Sequence, residues 1–358
     1  MIKEKNEVTK TKKIFKIIAI ILIIIIIIIA IIAFAGYLYM KNKLGMINYV
    51  NIDKNTIEIN EEVKQAKEDL IQEKKETKFR TIALFGVDSR ENQIEKGTRS
   101  DCIILAVIDE SSKKISLISV YRDSYLQVSG KGLDKVTHAY AFGGPKLSMS
   151  TLNTNLDLDI TEFVTVNFNS LVDIIDSIGG INLDITASEV KYINGYITET
   201  SKVTGKTAEQ ITKPGRYHLN GVQAVSYARI RYTSGGDYKR TERMRTVLLA
   251  ILNKAKGLSI GKLNKLADKL LPEIYTNIDS NEILSMFPQL MKYYVAESKG
   301  WPYETKGKTI NKTWYGIPIT LEENVKKLHE EVYHQTNYTV SNKVKEISNS
   351  IIEKTGYK

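Results

Sequence analysis

Between Thr81 and Ser124 the chain reads TIALFGVDSRENQIEKGTRSDCIILAVIDESSKKISLISVYRDS. Three runs in it are apolar, rich in β-branched residues and of strand length: Thr81–Val87, Cys102–Ile108 and Ile115–Tyr121. The polar turn DESSKK joins the second run to the third, which predicts an antiparallel hairpin. With the first strand antiparallel to the second, one sheet edge collects three chain segments. These are the end of the first strand (Asp88, Arg90), the start of the second (Arg99, Asp101) and the end of the third (Arg122, Asp123). Three separated Asp/Arg pairs then become one cluster, with the loop from 88 to 101 hanging over it.

Working outward, Ala139–Leu156 is predicted helical, with a Gly-Gly-Pro step near its start. Phe163–Phe168 and Ile181–Ile185 are predicted strands. Ser170–Ile178 places Val172, Ile175 and Ile178 on one helical face and stops at Gly179-Gly180. Asn220–Arg229 and Arg240–Ala255 are predicted helices. Strands alternating with helices predict an α/β fold with a central mixed sheet and helices on both faces. No Gly/Ser- or Pro-rich linker interrupts residues 79–335, which predicts one domain there.

Upstream, residues 17–40 carry no charge, and Ile23–Ile29 is unbroken isoleucine. At about 1.5 Å per residue this run makes about 36 Å of helix, against a hydrocarbon core of about 30 Å. Lys3, Lys5, Lys10, Lys12, Lys13 and Lys16 precede it, offset by Glu4 and Glu7. Positive-inside bias therefore predicts a cytoplasmic basic tail (1–16), a single transmembrane helix (17–40) in the cell membrane, and an extracellular remainder. Ala33-Phe34-Ala35 resembles a cleavage site, but the apolar run is long for a cleaved signal. Residues 41–78 are polar and predict a spacer; residues 336–358 predict a polar helical tail.

Composition narrows the chemistry. With 42% hydrophobic residues the chain is too apolar for disorder, and a single Cys excludes a disulfide framework or a Cys-rich zinc site. Four His argue against a His-rich metal site. The net charge of +10 invites a nucleic-acid partner. The outward topology and the lack of a helix-turn-helix pattern oppose one, so no nucleic acid is expected.

Arg229, Arg231, Arg240, Arg243 and Arg245 crowd into a short stretch, offset there only by Asp237 and Glu242. Each one alone reads as a surface salt bridge. As a cluster they exceed the flanking acids. Arg240 and Arg243 also sit in the first turn of a predicted helix, the wrong end for cations unless an anion lies among them. Ser234-Gly235-Gly236 supplies a loop whose backbone can approach such an anion, and guanidinium forks suit phosphate oxygens. Asp88 alone reads as a strand-end cap. Asp88 with Asp101 at one edge can hold Mg²⁺ through two carboxylates. His138 reads as structural and Cys102 as core.

Six motifs occur together: GVDSR at 86–90, GTRSD at 97–101, SVYRDS at 119–124, KVTHAYAFGGP at 135–145, VNFNSLVDIIDSIGGI at 166–181, and HLNGVQAVSYARIR with GDYKRTERMR within 218–245. In this order, after one membrane span, they resemble the LytR-CpsA-Psr family, strongly over residues 78–255 and weakly through TWYGIP at 313–318 to about residue 335. The resemblance implies a three-layer α-β-α sandwich with an apolar tunnel for a lipid tail. It implies an extracytoplasmic phosphotransferase that moves a glycopolymer from polyprenyl pyrophosphate onto a muramic acid 6-hydroxyl of peptidoglycan. Carried over by motif, Asp88 and Asp101 resemble Mg²⁺ ligands. Arg99, Arg122, Arg229 and Arg231 resemble the pyrophosphate clamp, with Arg90, Arg240 and Arg243 as further candidates. Arg99, Arg122 and Asp237 are the catalytic candidates, Asp237 either as an organiser behind the site or as a base. The partners implied are a polyprenyl-pyrophosphate-linked glycan, peptidoglycan and the lipid bilayer. Tyr121 and Met244 depart from the family pattern, which usually has Pro and Gln there. The alternatives are a polyprenyl-pyrophosphate hydrolase and a membrane-bound regulator or wall-binding module.

Overall fold

The computed structural model describes residues 34–72, 79–87, 97–283, 285 and 292–358. The expected membrane span lies outside these residues up to position 33, as do Asp88 and Arg90. Residues 34–44 are helical (α1). Among the described residues no helix is long and apolar enough to cross a membrane.

The first half of the chain runs β1 (Asn48–Tyr49), α2 (Glu61–Gln72), β2 (Phe79–Val87), β3 (Ser100–Asp109), β4 (Lys114–Val120), β5 (Tyr125–Val128), β6 (Gly132–Lys135), α3 (Val136–Leu156), β7 (Glu162–Asn167) and α4 (Phe168–Ser177). The second half runs β8 (Ile181–Ile185), α5 (Ala187–Thr204), β9 (Gly215–Leu219), α6 (Gly221–Arg229), α7 (Gly236–Lys256), α8 (Ile260–Leu270), β10 (Ile274–Thr276), β11 (Tyr294–Trp301), β12 (Thr305–Ile310), β13 (Thr313–Pro318), α9 (Leu321–Val332) and α10 (Asn342–Thr355).

Seven strands form one sheet in the order β1-β10-β7-β2-β3-β4-β11. The pairs β2–β3 and β3–β4 are antiparallel, as the hairpin turn requires, whereas β7 and β11 add in parallel to β2 and β4. The sheet is therefore mixed. Side chains alternate between its faces. Ala83, Phe85, Ile103, Leu105 and Ile118 face a core shared with Met149 and Leu152 of α3, Leu328 of α9 and Val344 of α10. On the other face Cys102 and Val166 meet the helices α4 to α8 and the β8–β9 hairpin.

Close approach explains one glycine here. A Cβ at Gly221, the first residue of α6, would lie 2.1 Å from the Val172 carbonyl oxygen of α4. The Gly-Gly-Pro step is a kink inside α3 rather than its start. Gly143 and Gly144 leave helical geometry, Gly144 at φ +63°, ahead of Pro145.

Two segments expected to stand apart from the domain pack onto it. In the expected spacer, β1 pairs with β10, Ile57 enters the core, and the Asn60 amide donates to Asp157 at 2.6 Å. The expected polar tail is largely α10. It is capped by the Ser341 side chain and buries Val344, Ile347 and Ile351. Both segments carry one thin apolar stripe in polar sequence. Such a stripe anchors a segment only when a matching surface exists elsewhere in the fold.

Candidate functional site

The expected edge cluster forms around Asp101. In the β2–β3 ladder Gly86 faces Cys102 and Val87 faces Ser100, so Asp101 is the extra residue of a β-bulge. A bulge frees a side chain from the strict alternation of a strand and re-aims it. Asp101 is turned into a ring of arginines.

Arg122, just past β4, donates from Nη1 to Asp101 Oδ1. Arg240, near the start of α7, donates from Nη2 to Asp101 Oδ2 at 2.7 Å. Arg231 lies in the α6–α7 connection, 3.9 Å from the same oxygen and 3.7 Å from Asp237 Oδ1. Arg240 Nη1 stands 3.5 Å from Asp237 Oδ1. Gly235 and Gly236 make this arrangement possible. Both have positive φ, +94° and +49°, and swing the chain into α7 so that Asp237 and Arg240 face β3.

Burial opposes ionisation of Asp101, but Arg240, Arg122 and Arg231 outweigh it and hold the carboxyl below its ordinary value. Burial, reinforced by Arg240, pulls Arg231 below the usual arginine value, though not far enough to remove its charge. Asp123 Oδ2 also stands 3.7 Å from Arg122 Nε, so the centre holds three arginines and Lys135 against Asp101, Asp123 and Asp237, a surplus of one positive charge. Arg99, two residues before Asp101 in the chain, is exposed. Among the described residues, Arg122 Nε and Arg240 Nε and Nη1 are buried donors without a hydrogen bond. Buried donors are normally satisfied, so three together beside surplus positive charge mark a place for anionic oxygens.

Two of the expected arginines turn elsewhere. Arg243 donates from Nε to Glu189 at 2.8 Å, from Nη1 to the Ile230 carbonyl at 3.1 Å, and from Nη2 to Thr233 at 2.6 Å. Arg229 binds Glu199 and Thr200 of α5. The acids that pair them are distant in sequence, so counting only flanking acids overstated the free positive charge. Asp123 is likewise engaged, by Lys135 at 2.6 Å. Glu189 could be read as half of a Thr186-x-x-Glu189 capping box, which it is. Its Oε2 caps α5 while its Oε1 takes Arg243.

Tyr121 and Met244 also have places in the structure. The Tyr121 ring packs edge-on against Tyr238 of α7 with centroids 4.4 Å apart, and its hydroxyl covers Gly300, where a Cβ would be 2.0 Å away. It braces the Arg122 loop against β11 and α7. Met244 is buried among the helices on its side of the sheet. Cys102 is a thiol pushed up to about 12 by burial and packs with the core. His138 bonds to Asp134 and stays outside the centre.

For a cation, Asp101 is the suitable group at this edge. It is ionised, and each of its oxygens keeps a lone pair beyond the one an arginine uses. Among the described residues no three His, Cys, Asp or Glu side chains converge to hold a metal.

A mixed sheet walled by helices, with one carboxylate set among arginines at its edge, defines an α/β protein with a basic, donor-rich sheet edge. The chain matches the LytR_cpsA_psr family over residues 46–331 and belongs to that family. It is 30% identical over 261 residues to the polyisoprenyl-teichoic acid–peptidoglycan teichoic acid transferase TagU of Oceanobacillus iheyensis, covering 70% of this chain and 74% of that protein. The solved structure of Bacillus subtilis TagV, 26% identical, superposes with a TM-score of 0.56 over 74% of this chain and all of that one. The LytR-CPS2A-psr family protein YwtF (TagT), with bound octaprenyl pyrophosphate lipid, shares the fold at 23% identity. Its TM-score is 0.52 over 72% of this chain and 91% of that one.

Proposed function

We propose that this protein is a membrane-anchored transferase that moves a glycopolymer from a polyprenyl-pyrophosphate carrier onto peptidoglycan. Its domain lies outside the cell, and the acceptor is the muramic acid 6-hydroxyl, joined through a phosphodiester. The relatives' names support the donor and acceptor classes. The observation that carries the reading for this chain is the set of unmet buried donors on Arg122 and Arg240 around an ionised Asp101.

In the reaction, the acceptor hydroxyl oxygen attacks the phosphorus that bears the glycan. The bond from that phosphorus to the bridging oxygen breaks, and polyprenyl phosphate leaves. The hydroxyl proton passes to a base, for which Asp237, one-third exposed beside Arg231, is the candidate. Arg122 and Arg240 hold the non-bridging oxygens, Arg231 and Arg99 the more exposed end of the pyrophosphate. Such transfer depends on placement and charge neutralisation more than on a special nucleophile. Asp101, with Asp88, would hold Mg²⁺, which supplies further neutralisation of phosphate charge. Arg229 and Arg243 serve the site as braces. The carrier's tail is assigned to the sheet face under α7, where Ile104, Ala106 and Leu117 are buried against Leu248 and Leu249, so the tail must part these side chains to enter.

The test uses the full chain in lipid nanodiscs with Mg²⁺, a labelled polyprenyl-pyrophosphate saccharide and peptidoglycan fragments. Label should reach the glycan strand only when acceptor is present, and Arg122→Ala and Asp101→Ala should abolish this. Release of polyprenyl phosphate independent of acceptor would replace transfer with hydrolysis.

A further inference from the structure

The end of α7 farthest from the arginine centre leads into a basic, partly apolar surface. Between residues 254 and 269 the chain carries Lys254, Lys256, Lys262, Lys265 and Lys269 against Asp268 alone. Asp268 is itself paired with Lys43 of α1, and the Tyr39 hydroxyl of α1 donates to Asn264 of α8. α1 therefore lies along α8. α8 buries Leu266 in the core; Leu263, one turn earlier on the same apolar stripe, is still 40% exposed, and Lys262, Lys265 and Lys269 are exposed on the adjacent face. Lys256 and Leu252 extend this surface on α7, and Phe34 and Leu38 extend it on α1.

We propose that this surface docks on an anionic bilayer. The lysines of α7 and α8 meet headgroup phosphates, and Leu252 and Leu263 reach the headgroup–acyl boundary. The proposal rests on residues 17–40 being a membrane span. Continuity selects the bilayer over any other partner. Tyr39 belongs to the uncharged run, and its side chain already touches α8, so α8 sits at the level where the span ends. Charge complementarity points the same way. α8 runs alongside α1, so the lysines nearest the end of the span meet the headgroups, and lysines beside a span are drawn to anionic lipid. Docking of this kind fixes the domain against the membrane instead of leaving it to swing on its anchor.

The experiment places an environment-sensitive nitrobenzoxadiazole label at Leu263→Cys, and separately at Asn349→Cys on α10, in full-length protein with Cys102→Ala. Each protein is reconstituted in phosphatidylcholine vesicles with or without about one-third phosphatidylglycerol, and flotation is measured beside quenching by lipid-borne doxyl groups. The expected result is flotation throughout, with quenching at position 263 but not 349, strongest with phosphatidylglycerol. Changing Lys256, Lys262, Lys265 and Lys269 to Glu should cut the docked population by about fivefold or more for each lysine that meets the surface. Flotation without quenching at 263 would overturn the docking while leaving the span intact. Failure to float would overturn both. Equal quenching with and without phosphatidylglycerol would overturn the lysine contact.

Discussion

Arg240 and Arg243 stand three residues apart on α7, and the side chain of each is only 6% exposed. They nevertheless have opposite surroundings. All three nitrogens of Arg243 are bonded inside the protein, to Glu189, Ile230 and Thr233. Arg240 bonds through Nη2 to Asp101 and leaves Nε and Nη1 without a hydrogen bond among the described residues. Neither burial nor charge separates these two residues. The number of unmet donors does, and it distinguishes a group that ties the wall together from the one proposed above to hold phosphate oxygens.

The largest effect should come from Arg243→Ala. It strands Glu189 as a buried, unpaired carboxylate, a loss of about 3–5 kcal/mol in unfolding free energy by denaturant titration. The double change Arg243→Met with Glu189→Leu should restore most of that loss, because removing both charges removes the uncompensated one. Arg240→Ala should do the reverse. Transfer should fall by about 10²- to 10³-fold, the usual cost of one donor to a developing oxyanion, with a smaller stability change because Arg122 still pairs Asp101. If Arg240→Ala lost as much stability as Arg243→Ala, the distinction between the two residues would collapse. Arg231, 44% exposed, should matter less. Arg231→Ala is expected to slow transfer by roughly three- to tenfold, with the difference shrinking as salt rises, since exposed charge is screened.

The smallest effect is one of pH. The ordinary Asp value is 3.8, and Asp101 lies below it in the folded protein. Its contribution to stability is therefore complete above the ordinary value and is lost only as pH falls through the lowered one. Unfolding free energies of wild type and Asp101→Asn should run parallel from about pH 8 to pH 5 and converge below about pH 4. Convergence near neutrality would mean that the arginines do not hold Asp101 ionised.

Much of this edge was legible in advance because its logic is local. The short turn between Cys102–Ile108 and Ile115–Tyr121 forces an antiparallel pair, and that pairing carries Arg122 back to Asp101. The bulge that aims Asp101 was not legible, since it falls at the last pair of the β2–β3 ladder, beyond the apolar run, where no further alternation records the slip. Nor were the partners of Arg229 and Arg243. Glu189 and Glu199 reach them only because α5, α6 and α7 pack together, and that packing is a property of the fold. The same limit explains β1 and α10. Tyr49 opposite Thr276 and Ile347 against the core follow from surfaces built by remote segments.

The length of α7 has a consequence of its own. Arg240 and Lys256 are sixteen residues apart on one helix, a rigid strut of about 24 Å. On the docking proposed above, the lysine end would rest at the lipid surface and Arg240 would work at most about 24 Å above it. A diphosphate carried among headgroups would then have to rise out of the plane to meet Arg240. In that arrangement altitude becomes a selection rule: a carrier unable to lift its diphosphate that far would stay out of reach, however well its sugars match.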